Sequence, residues 1–267
     1  MRKTSLLAGV VLAASLVASM GTALADTLSD IKERGKIIVA VDVSHPPYGM
    51  LDGSAKETGS DVETAKLLAE DLGVTLEIVP VSGANRVPFL LSNRADVVIA
   101  SFSVTEERKK VIDYSKPYGV IPVVISGPKD SAIKAAADLT GTEVAVARGT
   151  TADIELTKLI KTSGSDASIV RYEDESTTNT AMATGQQKVF AAALSTAQAV
   201  ADQSPGLGLE IKMELNNYPM AMGLRKGDAA FQATLDGFVD TNLKNGKLNT
   251  IYKKYFGQDL PAEMISK

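Results

Sequence analysis

The chain has 267 residues, with 28 Lys and Arg against 32 Asp and Glu, one histidine and no cysteine. A net charge of −4 without a dense basic patch argues against nucleic acid as a partner. One histidine and no thiolate leave no donor set for a zinc centre, and without disulfides the fold must be held by an apolar core, which this length can bury.

The first residues read as a secretory leader. "MRK" is basic, "LLAGVVLAASLVASM" is apolar, and "ALA" before Asp26 is a small-x-small cleavage signal, so residues 1–25 are expected to be removed after Ala25. The uncharged run approaches a membrane span in length but has no basic stop-transfer flank. Its removal takes Arg2 and Lys3 and no acid, which makes the mature chain more acidic still. No cysteine follows the cleavage point to carry a lipid anchor, so a free protein outside the inner membrane is expected.

Short β-branched runs then alternate with helical patterns. "KIIVAVDV" predicts a strand. "SDVETAKLLAEDLG" predicts a helix with Ala65, Leu68, Ala69 and Leu72 on one face, a capping box from Ser60 to Glu63, and a stop at Gly73. "VTLEIVPV" and "ADVVIAS" predict strands, separated by a short helix over "ANRVPFLLSNR", and "TEERKKVID" predicts a further helix. This rhythm implies a mostly parallel α/β sheet.

"YSKPYGVIPVVIS" interrupts the rhythm as a long extended segment. A second set follows: strands over "GTEVAVAR", "ASIVRYE" and "KVFAAALS", with helices from Thr151, from about Glu175, and up to about Asp202. A second long extended segment, "LEIKMELNNYPMAMGLRK", precedes two closing helices. The pattern reads as two α/β lobes, the second inserted in the first. Residues 26–121 and 218–267 form lobe 1, 122–217 form lobe 2, the crossings act as hinges, and a ligand cleft lies between.

In "ASFSVTEERKKVIDYS" a buried strand ends in Ser101 and Ser103 and hands over to a helix carrying Arg108. Hydroxyls, helix amides and a guanidinium in one place suit an anion. Ser103 is also spaced for a capping box with Glu106. Gly149, Thr150 and Thr151 open the second-lobe helix in the same way, where Thr151 reads as an anion contact or as an N-cap.

These motifs in this order resemble the extracytoplasmic solute-binding proteins, family 3, which deliver polar amino acids to ABC importers. The resemblance covers the whole mature chain. It rests on "VDVSHPPYGM", "GSDVETAKLLAEDLG", "SNRADVVIASFSVTEERKKVIDYSKPY", "VAVARGTT" and the C-terminal "GLRKGDAAFQATLDGFVDTNLKNGKLNTIYKKYFG". It implies a two-lobe type II binding-protein fold that closes on a small carboxylate ligand in the periplasm, works as a monomer with a membrane permease, and needs no cofactor or metal.

Residue by residue, it implies that Arg108 holds the ligand's α-carboxylate with Ser101 and Ser103, and that Thr151 and Gly149 meet it from the other lobe. Phe102, between the serines, is carried into the same set. His45 falls where the family has an aromatic that covers the ligand, and contacts it by stacking or a hydrogen bond. Arg86 has two readings: a grip on a side-chain carboxylate, which would favour an acidic or polar ligand, or a structural role.

One position departs from the pattern. The family's aspartate for the ligand ammonium is missing; the strand reads "GQQKVFAAALSTAQA", the best-aligned residue is Ser195, and Ser195 and Thr196 offer dipoles but no charge. Another acid substitutes, or the ligand is not a standard α-amino acid. Two further functions stay open beside transport: an exported dehydratase of prephenate-like acids, which needs a placed acid or base, and a ligand-sensing partner of a membrane receptor.

Overall fold

A computed structural model describes residues 27–265. The expected leader and its cleavage point lie outside the described residues. The elements run α1 (Thr27–Arg34), β1 (Lys36–Val41), β2 (Met50–Leu51), β3 (Glu57–Thr58), α2 (Ser60–Leu72), β4 (Thr75–Pro80), α3 (Arg86–Leu91), β5 (Val97–Val98), α4 (Glu106–Lys109) and β6 (Ile112–Tyr114). Then follow β7 (Gly119–Pro128), β8 (Glu143–Ala147), α5 (Thr151–Ser163), β9 (Ser168–Tyr172), α6 (Glu175–Ala183), β10 (Val189–Ala193) and α7 (Leu194–Gln203). The chain closes with β11 (Leu209–Met220), β12 (Gly223–Arg225), α8 (Ala229–Lys244), α9 (Lys247–Phe256) and α10 (Ala262–Ile265). No helix among the described residues is long and apolar enough to cross a membrane.

Two five-stranded sheets carry the fold. The first has the order β4-β1-β5-β12-β6 and the second β11-β7-β10-β8-β9. Both are mixed rather than mostly parallel. β1 pairs in parallel with β4 and β5, but β12 runs antiparallel to β5 and β6. In the second sheet β8 lies parallel to β9 and β10, while β7 is antiparallel to both β10 and β11. The two extended segments that interrupt the helical rhythm are the antiparallel members, because they pair with each other over the whole register from Leu209↔Pro128 to Met220↔Gly119.

The central strands are buried on both faces, which is why they read as unbroken apolar runs: Val189–Ala193 has no exposed residue. Helix α2 buries Val62, Ala65, Leu68 and Ala69 and ends at Gly73, which takes the left-handed conformation that glycine adopts without cost. Its N-cap is Gly59, not Ser60, and no side chain caps it. Glycine is required there, since a Cβ would lie 2.2 Å from the Tyr48 carbonyl oxygen.

Two predicted elements are shorter than their patterns. The "TEERKKVID" helix stops at Lys109, because Ile112–Tyr114 is taken by the ladder with β12. The "ADVVIAS" strand keeps only Val97–Val98 in the sheet. Beyond it, the chain turns to reach the seam between the lobes.

Candidate functional site

After β5 the chain passes through Ser101 with a φ of 45°, a left-handed conformation unusual for serine. Asp61, at the start of α2, holds this turn: its Oδ2 accepts from the Ser101 amide at 2.6 Å. The next residues pair with the chain leading to β12, through Ala221 N–H to Phe102 O, Val104 N–H to Pro219 O, and a bridge between Ser103 and Met220. Residues 101–104 therefore cannot shift without moving the second extended segment.

Phe102 is fully buried under this turn. Opposite it, Gly223 leaves the room, since a Cβ there would lie 2.4 Å from the ring. Phe102 serves as a floor for Arg108, whose guanidinium carbon sits 4.5 Å from the ring centroid. Arg108 Nη1 donates to Ser103 O at 3.0 Å and Nη2 to Gly149 O at 3.4 Å. Both acceptors are neutral carbonyls. Burial lowers the Arg108 pKa to about 10, and no carboxylate pairs with it among the described residues. The helix bearing Arg108 is capped by Thr105, whose Oγ1 accepts from Arg108 N–H, so the expected capping box from Ser103 is not formed. Ser103 Oγ is engaged across the seam instead.

The second lobe meets this surface with the first turn of α5. Its N-cap is Thr150, whose Oγ1 accepts from Asp153 N–H; the neighbouring Thr151 is left to reach Ser103, Oγ1 to Oγ at 3.1 Å. Gly149 has a φ of 74°, and a Cβ on it would lie 2.7 Å from Ala84 Cα in the other lobe. Gly83 faces the same contact from the opposite side, with a Cβ falling 2.8 Å from Arg148 O. The lobes touch here backbone to backbone.

A second cross-lobe contact is built on the loop after β1. His45 is 3% exposed, and its Nε2 lies 2.8 Å from Thr196 Oγ1 on α7 and 3.6 Å from Glu175 Oε1 on α6. Its ring packs against Tyr48 with centroids 4.8 Å apart. Ser195 Oγ donates to Tyr48 Oη at 3.0 Å. Burial pushes His45 down to about 3 and Glu175 up to about 8, so the pair is neutral in the closed seam.

Arg86 opens α3 and is buried. Its Nη2 donates to Asp42 Oδ2 at 2.8 Å, and Nη1 donates to Ser101 O at 3.4 Å. Burial works against the Asp42 charge, but Arg86, His45 and the Ser44 hydroxyl outweigh it and hold the carboxyl below its ordinary range. The second cation, read from the sequence as a ligand grip or a structural residue, is thus part of a buried ion pair.

Of the residues singled out in the sequence, the structure brings Ser103, Arg108, Gly149 and Thr151 into one contact and His45 and Ser195 into a second. Ser101 and Arg86 lie beneath the first, and Phe102 supports it. Sequence reasoning missed Asp42, Asp61 and Glu175, and named Thr196 only as a dipole beside Ser195. Asp42 directly follows the β1 run, and Asp61 and Glu175 each sit in the first turn of a predicted helix. Acids in a first turn are common, and nothing local separates a buried one from a solvated one. The open surface concavities, such as that between Asp153 and Arg171 on the outer side of α5, contain none of these seam residues.

Comparison with known proteins gives consistent results. The model of bacterial extracellular solute-binding proteins, family 3, matches residues 37–258. The L-cystine-binding protein TcyJ of Escherichia coli (strain K12) is 29% identical over 256 residues, covering 94% of each chain. A mutant of the arginine-binding protein of T. maritima superposes with a TM-score of 0.79 at 31% identity, covering 87% of this chain and 100% of the other. An ancestral amino acid-binding protein described as a precursor of cyclohexadienyl dehydratase superposes at 0.78 and 28% identity, covering 86% and 99%. The mixed α/β chain, with its two sheets and the seam between them, belongs to the bacterial extracellular solute-binding proteins, family 3.

Proposed function

We propose that this protein binds one small amino acid between its lobes as the periplasmic component of an ABC importer, with Arg108 as the anchor for the ligand's α-carboxylate. The observation that carries this reading is the state of Arg108. It is a desolvated guanidinium served by two carbonyls, the Tyr114 hydroxyl and an aromatic face, with no acid among them. A buried cation without an acid is costly, and a carboxylate that docks as the lobes close supplies the missing charge. Ser103 and Thr151, already facing each other, complete a donor site for the carboxylate with the amides of the α5 first turn.

The ligand class is a polar amino acid. Relatives named for cystine and arginine support an amino acid. A preference for a second carboxylate loses its basis, because Asp42 already neutralises Arg86. We place the hinges where the chain leaves the paired strands, at 114–119 and 220–223. The expected crossings at 121–123 and 216–218 lie where β7 and β11 still pair, beside the register shift between Glu214 and Asn216.

The dehydratase reading keeps one supporting observation, a buried acid at the seam with a raised pKa, Glu175. Incubation with prephenate and detection of an aromatic product tests it. For the binding reading, a thermal-shift screen of the mature protein against L-amino acids and L-cystine is decisive. A true ligand at about 100 times its Kd stabilises by roughly 2.7 kcal/mol, and Arg108→Ala abolishes the shift.

A further inference from the structure

We propose that Glu175, at the first turn of α6, receives the ligand's ammonium group and replaces the acid that α7 lacks. The inference rests on the amino-acid reading above and names a residue for it.

The acids around the seam differ in what they hold. Asp42 is spent: Oδ2 accepts from Arg86, and Oδ1 accepts from the Ser44 amide and hydroxyl. Asp61 gives Oδ2 to the Ser101 amide, and its other oxygen is buried in the small void that it lines with Ser60, Tyr118 and Tyr252, beside α9. Asp153 binds Arg171 and the Gly149 amide. Glu155 is held by Tyr218 and Asn216. Glu175 is different. It is 3% exposed, and its side chain's recorded polar neighbour is His45 Nε2 at 3.6 Å, beyond hydrogen-bond reach.

His45 cannot supply what Glu175 needs. Nε2 is engaged with Thr196 Oγ1 at 2.8 Å and lies beyond hydrogen-bond reach of Glu175. Nδ1 of His45 has no partner. Neither ring nitrogen of His45 hydrogen-bonds the Glu175 carboxyl. Uncompensated buried groups of this kind are retained where a ligand completes them.

A zwitterion offers one group to each end of the seam. Arg86 and Asp42 cancel. Arg108 remains on one lobe and Glu175 on the other, and an α-amino acid carries one group for each. A guest with a carboxylate alone leaves Glu175 unanswered. The groups facing Glu175 are His45 and Asp42 from the loop after β1, Arg86 from α3, and Asp174 from its own cap. In the closed seam burial raises the Glu175 pKa to about 8, and an ammonium beside it favours the ionised form.

The test uses the mature protein with L-amino acids and L-cystine as probes, and for the tightest of these its 2-hydroxy-acid counterpart. In Glu175→Gln the amino acid is expected to bind about 30-fold or more weakly, while the hydroxy acid changes by less than about 3-fold. The ligand-free variant should melt no lower than wild type, because no hydrogen bond is lost. Equal loss for both probes together with a lower melting temperature would make Glu175 structural and overturn the assignment. Unchanged amino-acid affinity overturns it too, and leaves the amino-acid reading standing. If no probe binds the wild type, that reading falls and this one falls with it.

Discussion

Two buried guanidinium groups hydrogen-bond the carbonyls of one three-residue segment, Arg86 at Ser101 and Arg108 at Ser103, yet their surroundings differ. Arg86 has an aspartate at 2.8 Å and sits beneath the seam. Arg108 has two carbonyls and a ring, and lies at the seam itself. The difference separates two jobs that look alike in sequence. A cation paired internally is part of the scaffold, because its charge is already answered. A cation left with neutral dipoles is the one that, on the proposed function, an anion from outside would answer.

The largest expected effect tests the scaffold half of this contrast. Arg86→Ala leaves Asp42 buried without its partner, and breaking such a pair costs about 3–5 kcal/mol of stability. Urea unfolding of the ligand-free protein measures it. The double change Asp42→Leu with Arg86→Leu should recover much of the loss, since two apolar residues replace both charges. If Arg86→Ala unfolds like wild type but binds nothing, Arg86 belongs with Arg108 and the contrast fails.

The ligand half comes next. Arg108→Ala should cost about 2–5 kcal/mol of amino-acid affinity and little stability, since the residue gives up only hydrogen bonds to neutral groups. Calorimetry with the tightest ligand of the screen decides this. Unchanged affinity would remove Arg108 from the site.

The sequence reached this contrast only halfway, for a physical reason. Signals carried by neighbours along the chain were readable. The periodic face of α2 and the αL stop at Gly73 are local, as are the all-apolar β10 and the start of α5 at Thr151. Caps were off by one or two residues, at Gly59 for Ser60, Thr150 for Thr151 and Thr105 for Ser103, because adjacent hydroxyls and glycines compete for one role. Pairings across long separations left no local trace. Asp42 and Arg86 are 44 residues apart, and His45 and Thr196 are 151 apart. Arg86 therefore kept two readings, ligand grip or structural residue, and Glu175 read as the start of one more helix.

Closure itself can be sharpened with a smaller change. Gly149→Ala places a methyl against Ala84 in the other lobe and forces alanine to a φ of 74°. The conformational cost is roughly 1–2 kcal/mol, and it appears in the melting temperature in both open and closed forms. The clash appears only on closure. Small-angle scattering at saturating ligand should give a larger radius of gyration for the variant than for wild type, with weaker affinity. Equal radii would mean that the lobes close without this backbone contact.

The smallest expected effect concerns Asp61, which shares the depth of Arg86 but carries no paired cation. Burial raises its pKa to about 7 from an ordinary 3.8, against the pull of the Ser101 amide and of Arg86. A carboxyl whose folded pKa lies above its unfolded one contributes its full stability below pH 3.8. It loses that contribution as the pH climbs through about 7. At pH 5 Asp61 is therefore protonated. Asparagine reproduces that state: its carbonyl can accept from Ser101 N–H, and its NH2 faces the Ser60 and Tyr118 hydroxyls, which have no other partner. Asp61→Asn should thus shift stability at pH 5 by no more than about 1 kcal/mol, the scale of one exchanged hydrogen bond. Between pH 5 and 8 the wild type should lose stability that the variant keeps, so their urea midpoints diverge in favour of asparagine. A variant that is clearly less stable at pH 8 than wild type would show that the Asp61 charge itself holds the Ser101 turn. In that case the ionised acid, and not the neutral one, shapes the loop beneath the ligand.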